Sequence, residues 1–176
     1  MTAQPLLAPT LTEDFKEAFG SHPAGVAVIT AASASGPVGL TASSVASVSA
    51  EPPLLAFSLA SRAGSAAAIA EADTFVVHLL GSSDVALARL FATAGSERFT
   101  SGLQWRTLPT GEPLLAHGGH TLRCEILSRT PAGGSVLIAA RVVEVLPRGG
   151  AEDVGAGPLV YHRRRFHTLG EATALP

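Results

Sequence analysis

The chain is short of the residues that mark many specialised proteins. Among 176 residues there is one cysteine, Cys124, one tryptophan and one tyrosine, and aromatics make up 5%. A lone cysteine excludes an internal disulfide framework and fits a reducing compartment, so a cytoplasmic location is expected. Charged residues are only 15% and the formal net charge is −2. Without a basic excess, nucleic acid is not an expected partner. No apolar run approaches the length of a membrane span, and no basic segment precedes an apolar one near the start, so neither membrane insertion nor a secretory leader is expected. No G-x-G-x-x-G follows a strand, which argues against a dinucleotide fold of the Rossmann type. The spacing supports no Ser-His-Asp or Cys-His nucleophile arrangement.

What the chain does have is an unusual strand. Gly39-Leu40-Thr41-Ala42-Ser43-Ser44-Val45-Ala46-Ser47-Val48-Ser49 is built almost wholly from small and hydroxyl side chains. A strand that only held a core would use larger β-branched and aromatic residues. Small residues let another molecule approach the backbone, and hydroxyls donate or accept as needed. The pattern predicts a strand that lines a flat or anionic ligand. The buried run Leu54–Leu59 follows, then Ser61-Arg62-Ala63-Gly64-Ser65 and an alanine-rich helical stretch. Ser65 is placed as its N-cap. A helix start with hydroxyls and one arginine suits a phosphate, although a plain cap beside a solvated Arg62 fits the same residues equally well.

The length suits one domain with a core. Residues 1–10 read as a loose arm, 11–169 as the folded unit and 170–176 as a tail. A helix is predicted from Thr12 to Phe19. Strands are predicted at 26–32, 38–49, 54–59, 74–80, 121–128, 135–146 and from Leu159, with a turn at 130–134 and a Gly-rich linker at 147–157. Ser83-Asp84 caps a helix carrying Leu87, Leu90 and Phe91 on one face. Hairpin signals dominate and βαβ alternation is absent, which points to an antiparallel barrel with helices outside it.

Several residues carry a functional and a bland reading. His117-x-x-His120 has metal-ligand spacing, but no third ligand lies near and a glycine loop separates the two. Exposed loop histidines are the favoured reading, and no metal is expected. His78 reads as a satisfied core histidine and Cys124 as a small core residue. Arg163-Arg164-Arg165 reads as a solvated run. On a continuous strand, however, Arg163 and Arg165 share a face with Tyr161 and can meet a nucleotide phosphate.

The segments Phe19-Gly20-Ser21-His22-Pro23-Ala24-Gly25-Val26, Gly39-Leu40-Thr41-Ala42-Ser43-Ser44 and Ser47-Val48-Ser49, with Pro52-Pro53-Leu54, resemble the small flavin reductases. These are the NAD(P)H:flavin oxidoreductase components of two-component flavin-dependent monooxygenases. Leu87-Ala88-Arg89-Leu90-Phe91-Ala92, Arg98-Phe99, Gly111-Glu112-Pro113-Leu114-Leu115, Cys124-Glu125 and Pro158-Leu159-Val160-Tyr161 extend the likeness over roughly residues 12–169. The resemblance implies a mainly β fold, a six-stranded antiparallel split β-barrel of Greek-key type with a few short flanking helices, and a homodimer with flavin near the subunit interface. It implies that Thr41, Ser43 and Ser44 lie along the flavin with backbone contacts from Ala42 and Val45. It puts Ser61, Arg62 and Ser65 at the flavin phosphate, with Arg98 and Phe99 in the same cofactor-binding set. Ser135, Tyr161 and Arg165 fall to the nicotinamide nucleotide.

Two positions depart from the family. A Gly-Asp-His or close variant often precedes the long strand; here Gly133-Gly134-Ser135 stands there without the imidazole. An asparagine often follows the phosphate helix; here the residue is His78. The expected activity is hydride transfer from NADH, with NADPH as the alternative, to FAD or FMN, with no obligatory general base. The reduced flavin would pass to a partner monooxygenase. A flavoprotein that keeps its flavin for another substrate, or a non-catalytic flavin binder, remains the alternative.

Overall fold

The computed structural model describes residues 11–60, 63–147 and 157–176. The N-terminal arm and the Ser61-Arg62 pair therefore lie outside the described residues, as does most of the Gly-rich linker.

Helix α1 (Leu11–Gly20) places Leu11, Phe15 and Phe19 one turn apart. Thr12 lies within its first turn, because the helix already includes Leu11. None of its residues is buried, and Phe15 and Phe19 stack at 4.6 Å on the exposed face. The short β1 (Ala24–Gly25) leads into β2 (Ala27–Ser33), which hairpins into β3 (Gly36–Ala42). The predicted single strand at 38–49 ends at Ala42, and a separate strand, β4 (Ala46–Ser49), follows. The cause is local: the Ser44 hydroxyl takes the Ser58 N–H at 3.0 Å and donates to the Ser58 carbonyl at 3.2 Å. A side chain that satisfies another strand's backbone competes with the ladder and ends it.

The remaining elements are β5 (Leu54–Leu59), α2 (Gly64–Glu71), β6 (Thr74–Leu79), α3 (Val85–Ala92), β7 (Trp105–Thr107), β8 (Pro113–Leu115), β9 (His120–Ala132), β10 (Ser135–Leu146), β11 (Leu159–His162) and β12 (Arg165–Thr168). Strands β7 and β8 form a small hairpin in a stretch where no strand was predicted. Strand β9 runs to Ala132, so the predicted turn at 130–134 narrows to Gly133-Gly134, with Gly133 at φ 59 as the turn requires. The tail at 170–176 is exposed and carries one short 3₁₀ turn.

The fold is mainly β, with antiparallel sheets and few helices. The large sheet has the order β3-β2-β6-β9-β10-β5-β4. Its edges β3 and β4 are joined by only Ser43, Ser44 and Val45. Such a link spans at most about 15 Å, whereas six strand spacings in a flat sheet amount to about 29 Å. The sheet must therefore curl until its edges approach. Inside the curl, Ala27 and Ile29 of β2, Phe57 of β5, Phe75 and Val77 of β6, Cys124 and Ile138 form one core. The opposite face of β2 puts Val28 with Phe91, Leu115 and Leu159 in a second core. The period-2 alternation thus feeds two cores, which is why β2 reads as an unbroken apolar run.

Candidate functional site

Two clefts flank the C-terminal end of α3, and both run along β3. The larger, about 910 Å³, lies between β3, α3 and the β11–β12 hairpin, and is lined by Thr41, Ser43, Arg89, Tyr161, Arg164 and Arg165 among others. A space of that size accommodates a nucleotide-sized ligand. Thr41 reaches it from the end of β3, with its hydroxyl donating to the Ala88 carbonyl at 2.7 Å. That bond fixes the hydroxyl and leaves its oxygen free to accept. Val85, Arg89 and Ala92 reach the cleft because they lie one turn apart on one face of α3, beside the face that buries Ala88 and Phe91. The Arg89 guanidinium sits 5.7 Å from the centre of the Phe166 ring, which itself packs 5.2 Å from Tyr161.

The hairpin overturns one expectation. Arg163 and Arg165 do not share a strand face, because the chain reverses at Arg163-Arg164, both in the left-handed region at φ 47 and 63. Arg165 stands on β12, and Arg164 rather than Arg163 joins it in the cleft. Among the described residues no carboxylate pairs with Arg89, Arg164 or Arg165, and no acidic residue lines the cleft.

The smaller cleft, about 640 Å³, is lined by Val38, Gly39, Ser65, Ser96, Arg98 and Phe99 with their neighbours. Ser65 is not the cap of α2. Ala63 occupies that position, and the Ser65 hydroxyl instead accepts from Arg98 Nη1 at 2.8 Å. The charged donor outcompetes the helix N–H groups for that oxygen. Arg98 also donates to the Gly39 and Thr93 carbonyls, while its buried Nε has no partner among the described residues. Thr93 also lines the larger cleft, so the two clefts adjoin through it. Phe99 packs edge-on against Phe91 and Trp105. Gly39 is small for a packing reason: a Cβ there would stand 2.6 Å from the Phe91 ring.

Thr41 and Ser43 are thus brought together with Tyr161 and Arg165, and Ser65 with Arg98 and Phe99. Ala42 is buried in the core, Val45 packs against it, and the Ser44 hydroxyl is committed to β5. Ser135 lines neither cleft. It opens β10 at the hairpin tip, and the neighbouring Val136 pairs with Leu59, which puts the tip beside the end of β5. Ser61 and Arg62 lie outside the described residues.

The histidines behave as structure. His78 is fully buried, with Nδ1 against the Val28 carbonyl at 3.1 Å and Nε2 accepting the Leu115 N–H at 3.0 Å. Burial, with His117 nearby, lowers its pKa to about 3. It is held neutral and away from either cleft. His117 is buried, contrary to the expectation of an exposed loop histidine: Thr121 meets its Nε2 at 2.8 Å and the Gly119 N–H its Nδ1 at 3.1 Å. Asp84 stands at the N-cap position of α3, as expected, but its side chain makes no cap hydrogen bond there. Its carboxylate accepts the Gly81 N–H at 2.9 Å and lies 3.7 Å from His117. Cys124 is sealed in the core, where burial pushes its thiol up to about 12. Among the described residues no three His, Cys, Asp or Glu side chains cluster as metal ligands, and no helix is long and apolar enough to cross a membrane.

Sequence reasoning missed Arg89 and Arg164. The signal for Arg89 was its place at i+4 from Val85 on the polar side of α3. For Arg164 it was the pair Tyr161 and Phe166, set symmetrically about a two-residue reversal.

The chain is similar to known flavin reductases. Residues 19–170 match a family model described as a flavin reductase like domain. The chain is 38% identical over 154 residues to an NADH:FMN oxidoreductase of Rhodococcus qingshengii, covering 88% of this chain and 80% of that protein. It is 32% identical over 165 residues to the reductase component of a 4-nitrophenol 4-monooxygenase/4-nitrocatechol 2-monooxygenase from Rhodococcus opacus, covering 93% and 84%. A solved NADH:FAD oxidoreductase of Streptomyces globisporus C-1027, in complex with NAD and FAD fragments, superposes with a TM-score of 0.80 at 25% identity, covering 97% of this chain and 100% of that one.

Proposed function

The chain belongs to the flavin reductase like domain family, and from that premise we propose how its clefts serve the family's reaction. The protein is a flavin reductase: it moves a hydride from NADH to a flavin, FMN or FAD, and the reduced flavin supplies a partner monooxygenase. The observation that carries the assignment to these clefts is the meeting of β3 hydroxyls, an aromatic pair and three arginines without carboxylate partners among the described residues. The residues present fit a flavin nucleotide. The orphaned Arg98 Nε and the Ser65 hydroxyl offer a phosphate a donor and a neighbour, and Thr41 offers an oxygen along the ring.

When bound, the flavin supplies the redox chemistry as hydride acceptor. The chain's own residues bind and orient. Thr41 and Ser43, with the backbone of Ala42, Ser44 and Val45, would lie along the flavin, where N–H groups of that link could stabilise the charge that reduction creates. Ser65, Arg98 and Phe99, with Ser61 and Arg62, hold its phosphate end. Tyr161 and Arg165 hold the nicotinamide nucleotide, and Ser135 lies near its reacting ring. No side chain need move a proton for the hydride step, so orientation and exclusion of water carry the rate.

A homodimer completes this reading. Ser135 stands at a hairpin tip that lines neither cleft, so a tip from a second copy can supply it. Exposed Leu11, Phe15 and Phe19 on α1, with Leu137, Val143 and Val145 on β10, offer apolar surface for such a contact. Residues 11–169 act as the functional unit, and the curled sheet is read as the six-stranded split barrel of the family, an interpretation supported by the three-residue link between its edge strands. A lone, buried Cys124 agrees with a reducing cytoplasm.

The test is NADH consumption with free FMN and FAD supplied in turn. Multiple turnovers with at least one flavin are expected. A protein that binds flavin and leaves NADH untouched overturns the reading.

A further inference from the structure

The Arg163-Arg164 reversal is expensive to build. Two-residue hairpins with both residues in the left-handed region are ordinarily made of Asn and Gly, which adopt it readily. Here two arginines adopt it, at φ 47 and 63. Backbone strain of this kind persists where the surroundings impose it, and it gathers at ligand clamps. The Arg163 N–H donates to the Gly20 carbonyl at the end of α1 at 3.1 Å, which anchors the turn from outside.

The strained turn sets Arg164 on the wall of the larger cleft, next to Arg165 on β12 and across from Arg89 on α3. Phe166 supports Arg89 through its ring face. Elsewhere Arg123 is paired with Glu112 and Arg141 with Glu125, each at 2.8 Å, while Arg98 and Arg129 are bonded to backbone carbonyls. Three arginines of like charge line the same cleft from two sides, an arrangement that mutual repulsion disfavours, and none has a carboxylate partner among the described residues. A dianionic or pyrophosphate group would relieve that repulsion with several charge-assisted bonds at once.

We propose that Arg164 and Arg89, with Arg165 beside them, form a phosphate clamp in the larger cleft that grips the phosphate or pyrophosphate of a nucleotide substrate. The proposal rests on the reductase reading for its substrates but not for the anion itself. The chemistry is common to two sources: the pyrophosphate of NADH, which agrees with the flavin phosphate lying at Ser65 and Arg98, and the phosphate of the flavin, which would overturn that placement. The clamp acts on binding: it positions the nucleotide and takes no part in the hydride step.

The test uses Arg164→Gly and Arg89→Gln in the full chain. Arg164→Gly removes the guanidinium while easing the left-handed turn, so it should melt no lower than the native protein. Inorganic pyrophosphate, titrated by calorimetry, should bind the native chain and bind each variant about tenfold more weakly. In turnover, each variant should raise KM about tenfold for one phosphate-bearing substrate at little change in kcat. Reduced nicotinamide riboside in place of NADH, and riboflavin in place of FMN, lack the phosphates. The substrate whose phosphate-free analogue is indifferent to the substitutions is the one the clamp holds. Equal losses with and without phosphates, or pyrophosphate binding unchanged in both variants, would overturn the clamp. A native chain that binds pyrophosphate but never consumes NADH would sustain the clamp and overturn the reductase reading instead.

Discussion

Both ring nitrogens of His78 are bonded within the chain, whereas Arg164 and its two neighbouring guanidiniums face a cleft with no carboxylate partner among the described residues. Glu112 belongs with His78: it is 1% exposed, bonded to Arg123 and Thr110, and its carboxyl is held below the ordinary range because those bonds outweigh the effect of burial. The buried groups carry polar chemistry that is already spent. The cleft carries charge that no carboxylate among the described residues meets. Polar residue type alone therefore says little about function here, and whether the chain supplies the partner says a great deal.

If the buried set is purely structural, removing one member should wreck stability and leave the clefts alone. Glu112→Ala strands the Arg123 guanidinium, which is mostly buried, and should cost about 3–5 kcal/mol. Urea unfolding measures this. A loss under 1 kcal/mol would mean that Arg123 turns out to water and that the pair is less enclosed than the structure indicates.

His78 offers a smaller and pH-dependent version. Its pKa is lowered from 6.5 to about 3 in the fold. Above pH 6.5 both the folded and unfolded forms are neutral, and the residue adds no pH dependence. As pH falls from 6.5 toward 3 the unfolded chain takes up a proton that the folded chain refuses, so stability drops by up to about 1.4 kcal/mol per pH unit. His78→Leu leaves the Leu115 N–H without its acceptor and should cost about 1–3 kcal/mol at neutral pH. It should also flatten the acid limb. Denaturation curves collected from neutral pH downward test both statements, and an acid limb of unchanged slope in the variant would assign it to other groups.

The same distinction explains what the sequence could and could not disclose. Strands β2, β5 and β6 and helix α3 were legible because their apolar spacing is that of the buried faces they form. The 38–49 run misled because Ser44 spends its hydroxyl on Ser58 of β5, the strand beside β4, a contact that no local pattern encodes. Ser65 resembled a cap until Arg98, 33 residues away, claimed its oxygen. The arginine reversal was hidden because neither residue is one that announces a left-handed turn. Thr41, Ser43, Tyr161 and Arg165 were foreseen as ligand residues, and they do share a cleft; their guanidinium companions were found only once α3 and the hairpin were seen to face each other.

Ser135 sits between the two classes and should give the smallest effect. It is half-buried at the head of β10, its hydroxyl has no hydrogen-bond partner among the described residues, and the register of Val136 with Leu59 holds it beside the end of β5. It is therefore a polar group left open, like the cleft arginines, but a short one. The family often carries an imidazole at this point, whose ring reaches farther and offers a flat face to a nicotinamide. Ser135→His should raise kcat/KM for NADH a few-fold at saturating flavin, with flavin affinity and melting temperature unchanged, because the Gly133 turn and the Ala132 pairing do not depend on the side chain. Steady-state kinetics with NADH varied decides it. An unchanged or lower kcat/KM would show that the serine is already matched to what it faces. The nicotinamide would then be held by Tyr161 and the arginines alone, and the hairpin tip would join His78 on the structural side of the comparison.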